Sequence, residues 1–93
     1  MISFIEIFNK GGYKSWGIRE VSINPSLIIK MQEDDEIESH LEQGFLPKEI
    51  EKTQRFTKIF FTNDSYLTVI SPIDISIEKI AKANNTGRTL LKG

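Results

Sequence analysis

Apolar and polar positions alternate with period two over most of this chain, and the pattern switches to a helical period near its end. Phe56 to Thr62 and Ser65 to Ile70 are dense in β-branched and aromatic residues and are separated by the polar pair Asn63-Asp64. That pattern predicts a β-hairpin with a two-residue turn. After Ser71-Pro72 the period changes: Ile73, Ile77, Ile80 and Ala81 recur at helical spacing, with Glu78, Lys79 and Lys82 on the other side. The expectation is a helix over 73–83 laid against the hairpin, with Ile59, Phe60, Phe61, Leu67, Val69, Ile77 and Ile80 as core.

Upstream, Met1 to Phe8 predicts a first strand, with Ile5 and Ile7 on one face and Ile2, Phe4 and Phe8 on the other. Asn9-Lys10-Gly11-Gly12 carries turn chemistry that ends it, and Tyr13 to Gly17 reads as a loop with two large aromatics. Ile18 to Asn24 alternates as a second strand, with Arg19, Val21 and Ile23 on one side. Asn24-Pro25-Ser26 starts a turn, and Leu27 to Gln32 resumes as a third strand. Past the helix, Asn84-Asn85-Thr86-Gly87 stops the periodicity, leaving residues 84–93 as a tail.

Residues 33–55 have low apolar content and admit two readings. In one, Asp34 or Asp35 caps a short helix with Ile37 and Leu41 on one face, Gly44 closes it, and Pro47 starts a further turn through Lys52. In the other, the segment is a long irregular excursion. Either way it separates the third strand from the hairpin. The predicted fold class is α+β: a small, mainly antiparallel twisted sheet of about five strands with a C-terminal helix and an acidic insert between strands three and four. A chain of 93 residues makes one domain with a modest core. Such a sheet leaves an edge or face exposed, and a homo-oligomer is the expected way to cover it.

Charge sharpens the picture. Between Glu33 and Glu51 lie eight acids and one base, whereas the rest of the chain holds eleven bases and five acids. The acidic segment is either a solvated loop or a docking surface for a basic partner, with Glu33, Asp34, Asp35, Glu36 and Glu38 as the contacting acids. The basic remainder suits a small anionic ligand. Extended nucleic acid is disfavoured by the insert and by a sequence pI near 5.8. Isoleucine and lysine are abundant, which points to an AT-rich bacterial or phage genome. No apolar run approaches the roughly 18 residues of a membrane span, and no basic-then-apolar leader opens the chain. The expected location is the cytoplasm of a bacterial cell, or of the host if the gene is a phage's.

Val21-Ser22-Ile23-Asn24-Pro25-Ser26-Leu27-Ile28, the hairpin from Thr57 to Ile70 and the helix from about Ile73 to Ile80 together resemble the FlbD family of small bacterial flagellar and swarming proteins. The resemblance covers about half the chain and implies a likeness of fold. It carries over no catalytic residue. The aromatic loop, the acidic insert and the tail depart from that family's pattern.

Chemistry is sparse. With no cysteine and one histidine, His40, neither a triad nor a two-histidine metal site can be built within one chain. His40 is expected to be a solvated loop residue. The run Glu33-Asp34-Asp35-Glu36 lacks the glycine and spacing of a calcium loop, and no phosphate-binding glycine loop occurs. No enzyme, metal or cofactor is expected. Tyr13, Lys14, Trp16 and Arg19 mix stacking faces with positive charge, as nucleotide sites do, and Arg88 on the tail is placed to reach the same anion. The alternatives are that Trp16 folds over the sheet as a core lid and that Arg88 stays free. The leading expectation is a non-enzymatic oligomeric binding protein of phage accessory type that sequesters a small anionic ligand, such as a nucleotide signal of host defence. The other is an FlbD-like adaptor or inhibitor docking a protein partner through its acidic insert.

Overall fold

The computed structural model describes residues 1–12 and 14–92, with 84–92 described as helix backbone only. Five strands form one antiparallel sheet: β1 (Ile2–Gly12), β2 (Ser15–Ile23), β3 (Ile28–Glu33), β4 (Thr57–Phe61) and β5 (Tyr66–Val69). Helix α1 (Asp35–Glu42) lies between β3 and β4, and α2 (Ile73–Lys92) follows β5. The expected α+β architecture is present.

The spatial order is β2-β1-β5-β4-β3, so β2 and β3 stand at opposite ends of the ladder although they are consecutive in the chain. In a flat sheet those ends are about 19 Å apart. The link from Ile23 to Ile28 spans about 17 Å fully extended, and less here because Pro25–Leu27 is a 3-10 turn. The sheet therefore curls. Its inner face gathers buried Ile2, Phe4, Ile23, Ile59 and Val69, with Val21, Ile28, Met31, Phe61 and Leu67 around them. Helix α2 adds Ile80 and Ala83 to this core.

The outer face carries a second cluster in which Ile7 and Phe56 meet Ile37 and Leu41 of α1 and Leu46, with Trp16, Ile50 and Ile70 beside them. Residues 33–55 are thus neither a free excursion nor two helices. One capped helix and a set of turns roof one end of the sheet. Asp34 is the cap: its Oδ1 accepts from the Ile37 backbone N–H at 3.1 Å. Gly44 follows the helix at φ +79, as a helix-terminating glycine does. The stretch after Pro47 forms turns only, with Ile50 N donating to Pro47 O and Gln54 N to Glu51 O.

Three local expectations need correction. First, β1 does not end at Phe8. Asn9 Oδ1 accepts from Gly11 N, and Asn9 Nδ2 donates to Gly12 O, each at 2.7 Å, so the turn chemistry makes a bulge with Gly11 at φ +122. Pairing resumes at Gly12 with Ser15, which places Trp16 in a strand and leaves no long aromatic loop. Second, the β4–β5 turn is a three-residue loop. Asp64 N donates to Phe61 O, Asp64 sits at φ +67, and Phe61 N donates to Ser65 O. That is a type I turn closed by a left-handed residue. Third, α2 faces the core with Ser76, Ile80 and Ala83, while Ile77 and Ala81 face out. Ser76 is fully buried because its hydroxyl donates within reach of Pro72 O (3.0 Å) and Thr57 Oγ1 (3.3 Å), fixing the rotation of the helix. The helix also runs through 84–87 to Lys92. A glycine costs only about 1 kcal/mol in a helix that is already nucleated.

Candidate functional site

On the outer face of the sheet, beyond the roof, alternation brings a row of aromatic and basic side chains into register. Lys30 of β3 stands opposite Phe60 of β4, and Phe60 stands opposite Tyr66 of β5. Lys58 lies two positions before Phe60, opposite Thr68. The Lys30 ammonium sits 4.4 Å from the Phe60 ring centroid, and the Lys58 ammonium 4.8 Å from that of Tyr66. The two rings are 5.7 Å apart and tilted by 43°. Tyr66 is 60% exposed, and that degree of exposure makes it a surface for something else to stack on.

This platform leads into a cleft. β1 and β5 pair only at Glu6–Val69 and Ile7–Thr68. Beyond Ile7 the strands part, and a cleft of about 330 Å³ opens between Trp16 and Asn9 on one side and Lys58 and Tyr66 on the other. Thr68 lines it, and the start of α1 at Asp34 and Ile37 closes one end. Asp34 is 4% exposed, with Oδ2 accepting from the Thr68 hydroxyl at 2.7 Å while Oδ1 caps the helix. The carboxylate therefore ties α1 to β5.

The residues expected from sequence divide into groups. Trp16 and Lys14 lie on the side of the hairpin facing α1: the Trp16 ring is 5.6 Å from His40, His40 is 6.0 Å from Phe45, and the Lys14 ammonium is 5.7 Å from the Phe45 ring. His40 is accordingly not a solvated residue; it is half-buried, and its Nδ1 is buried with no hydrogen-bond partner among the described residues. Arg19 is three positions from Trp16 and so projects from the opposite face. There its Nε donates to Glu6 Oε1 at 2.8 Å and its guanidinium stacks 4.1 Å from the Phe8 ring. The hydrogen bond to Glu6, and then its charge, hold Arg19 above its usual pKa. Phe8 folds over Gly17, its cross-strand partner, where a Cβ would meet the ring at 2.9 Å. Lys14 and Trp16 are brought together; Arg19 does not join them. Tyr13 and the Arg88 side chain lie outside the described residues.

The acids expected to dock a partner also divide. Glu33, Asp35 and Glu36 are exposed. Asp34 is buried and presents no charge to a partner. Glu38 is shielded and paired with Arg55 at 2.6 Å, closing the base of the insert. Among the described residues no group of three His, Cys, Asp or Glu is placed to hold a metal ion, and no helix is long and apolar enough to cross a membrane.

Sequence reasoning missed Lys30, Lys58 and Tyr66 as site residues and assigned Phe60 to the core. A signal was present: in β4 and β5 the positions alternating with Ile59, Leu67 and Val69 are Lys58, Phe60, Tyr66 and Thr68. Compared with known proteins, the chain matches no family model, no curated protein and no solved structure.

Proposed function

We propose that this is a non-enzymatic binding protein whose ligand is small, aromatic and anionic, with a nucleotide as the chemistry that fits best. One observation carries the reading: Phe60 and Tyr66 stand in register on an uncovered sheet face, each with a lysine ammonium within 5 Å of its ring, beside an open cleft. A base stacked on Tyr66 leaves its phosphate beside Lys58 and Lys30. Such stacking contributes about 1–3 kcal/mol per base. A cleft of about 330 Å³ is at the small end of ligand sites, which favours a mononucleotide or one half of a dinucleotide. Glu6, Asp34 and Glu36 also line the cleft. Glu6 and Asp34 are already bonded to Arg19 and Thr68, so the phosphates belong at the lysines on the open side. Sequestration of a nucleotide signal by a phage-type accessory protein is the biological role consistent with this chemistry.

Isothermal titration with adenosine monophosphate, a cyclic dinucleotide and inorganic phosphate tests the reading. The nucleotides should bind and phosphate alone should bind far more weakly. Tyr66→Ala should weaken binding by about 5- to 150-fold, the equivalent of one lost stacking contact. Equal binding of phosphate, or wild-type affinity in Tyr66→Ala, would refute it.

An FlbD-like adaptor docking through the acidic insert is the second reading. It is favoured by α1 itself, which Ile37 and Leu41 pin to the sheet while Asp35, Glu36 and Glu42 remain exposed. Reversing Asp35 and Glu42, which lie outside the cleft, to lysine should abolish partner capture and leave nucleotide binding in place. Capture that survives the reversal would remove this reading.

A further inference from the structure

A second groove, of about 340 Å³, runs along the start of β1, at the opposite end of the outer face from the nucleotide platform. It exists because β5 ends early: Ile70 N donates to Ile5 O at 2.8 Å, and past that bond β1 has no strand on this side. The first turns of α2 fill in, with Lys79 donating to the Ser3 carbonyl and lying over the Phe4 ring. Ile5, Ile70 and Ile75 line the groove. Ile5 is 43% and Ile75 49% exposed, and Ile18, 46% exposed, continues the apolar strip on the same face of the hairpin. Exposed isoleucines gathered on one groove from two elements are unusual on a surface that meets only water.

The charges around the groove identify its occupant. Glu20, opposite Ile5, stands on the β2 side of β1, and Lys79 stands on the α2 side. Both are exposed, and Glu20 forms no ion pair among the described residues. A two-fold axis running along β1 exchanges the two sides. It sets Glu20 of each copy against Lys79 of the other and packs isoleucine on isoleucine between them. A surface with one acid, one base and an apolar centre arranged in this way is complementary to itself, which is the requirement of an isologous interface. We propose that this face is the dimer interface of the protein, with a second copy of the chain as its occupant. The eight residues that line the groove are fewer than the roughly 20–30 residues a side of a standard interface. The contact therefore extends over Ile18 and the small exposed side chains Ser3 and Ser22, which let a second sheet approach closely. The interface does not involve the nucleotide platform and stands whether or not that site binds its ligand.

Sedimentation equilibrium on the full chain tests this. The wild type should sediment at twice the 10.7 kDa chain mass. Glu20→Lys and Lys79→Glu should each sediment as monomers, because each sets like charges against one another. Mixed in equal amounts, the two variants should recover the dimer, since every contact then pairs opposite charges. Ile75→Glu should be monomeric and should not recover on mixing with either. A monomeric wild type, single reversals that stay dimeric, or a mixture that stays monomeric would each overturn the proposal. Recovery on mixing also excludes misfolding as the cause of dissociation.

Discussion

Asp34 joins parts of the chain 34 positions apart with one carboxylate, capping α1 through Oδ1 and accepting the Thr68 hydroxyl through Oδ2. The capping role was legible, because an aspartate just before an amphipathic stretch is a helix start. The second bond was not, since no local pattern reports a partner in another strand. Both contacts depend on the same side chain, so Asp34→Ala should lower the unfolding free energy by about 2–3 kcal/mol. Roughly 1 kcal/mol comes from the cap and the rest from stranding the Thr68 hydroxyl. Urea unfolding measures this, and a loss below about 0.5 kcal/mol would show that the carboxylate is not the tie described. Thr68→Val, which leaves the cap intact, should cost less than Asp34→Ala.

The acidic insert behaves as part of the fold at the scale of an element. Ile37, Leu41 and Leu46 cover Ile7 and Phe56, so removing residues 34–54 would strip the roof from the outer core. Leu41→Ala, at a position 6% exposed, should cost about 2–4 kcal/mol. Hydrogen exchange should speed up most in α1 and in the β1 segment beneath it; unchanged exchange there would mean that the insert is not packed on the sheet. The hairpin of β4 and β5, the strand pattern and the change of period at Ser71-Pro72 were readable because each is a local alternation of side-chain type. The bulge at Asn9 to Gly12 and the inward face of α2 were not. Turn residues serve bulges as well as turns, and Ser76 reaches the core through its bonds to Thr57 and Pro72, where an apolar stripe would have selected Ile77.

Across the whole molecule, the curl of the sheet separates three surfaces. The inner face holds the core and α2; the outer face holds the roof and, at one end, the aromatic-basic platform; at its other end the start of β1 and of α2 expose the isoleucine groove. The sequence showed that charge was unevenly distributed, but periodicity alone does not say which face of a strand stays uncovered. By pattern alone Phe60 is for that reason indistinguishable from Ile59, although the roof stops short of it. Lys30 is exposed and Lys58 half-buried, so nucleotide affinity should fall as salt rises, whereas the stacking contribution of Tyr66 should not. An affinity independent of salt would place the phosphate elsewhere. The central claim is that the platform of β3, β4 and β5 holds the ligand. Amide chemical-shift mapping during titration with adenosine monophosphate tests it most directly. The account predicts the largest shifts at Lys58, Phe60, Tyr66 and Thr68 and at the Trp16 indole across the cleft; shifts centred on Glu20 and Lys79, or none at saturating nucleotide, would contradict it.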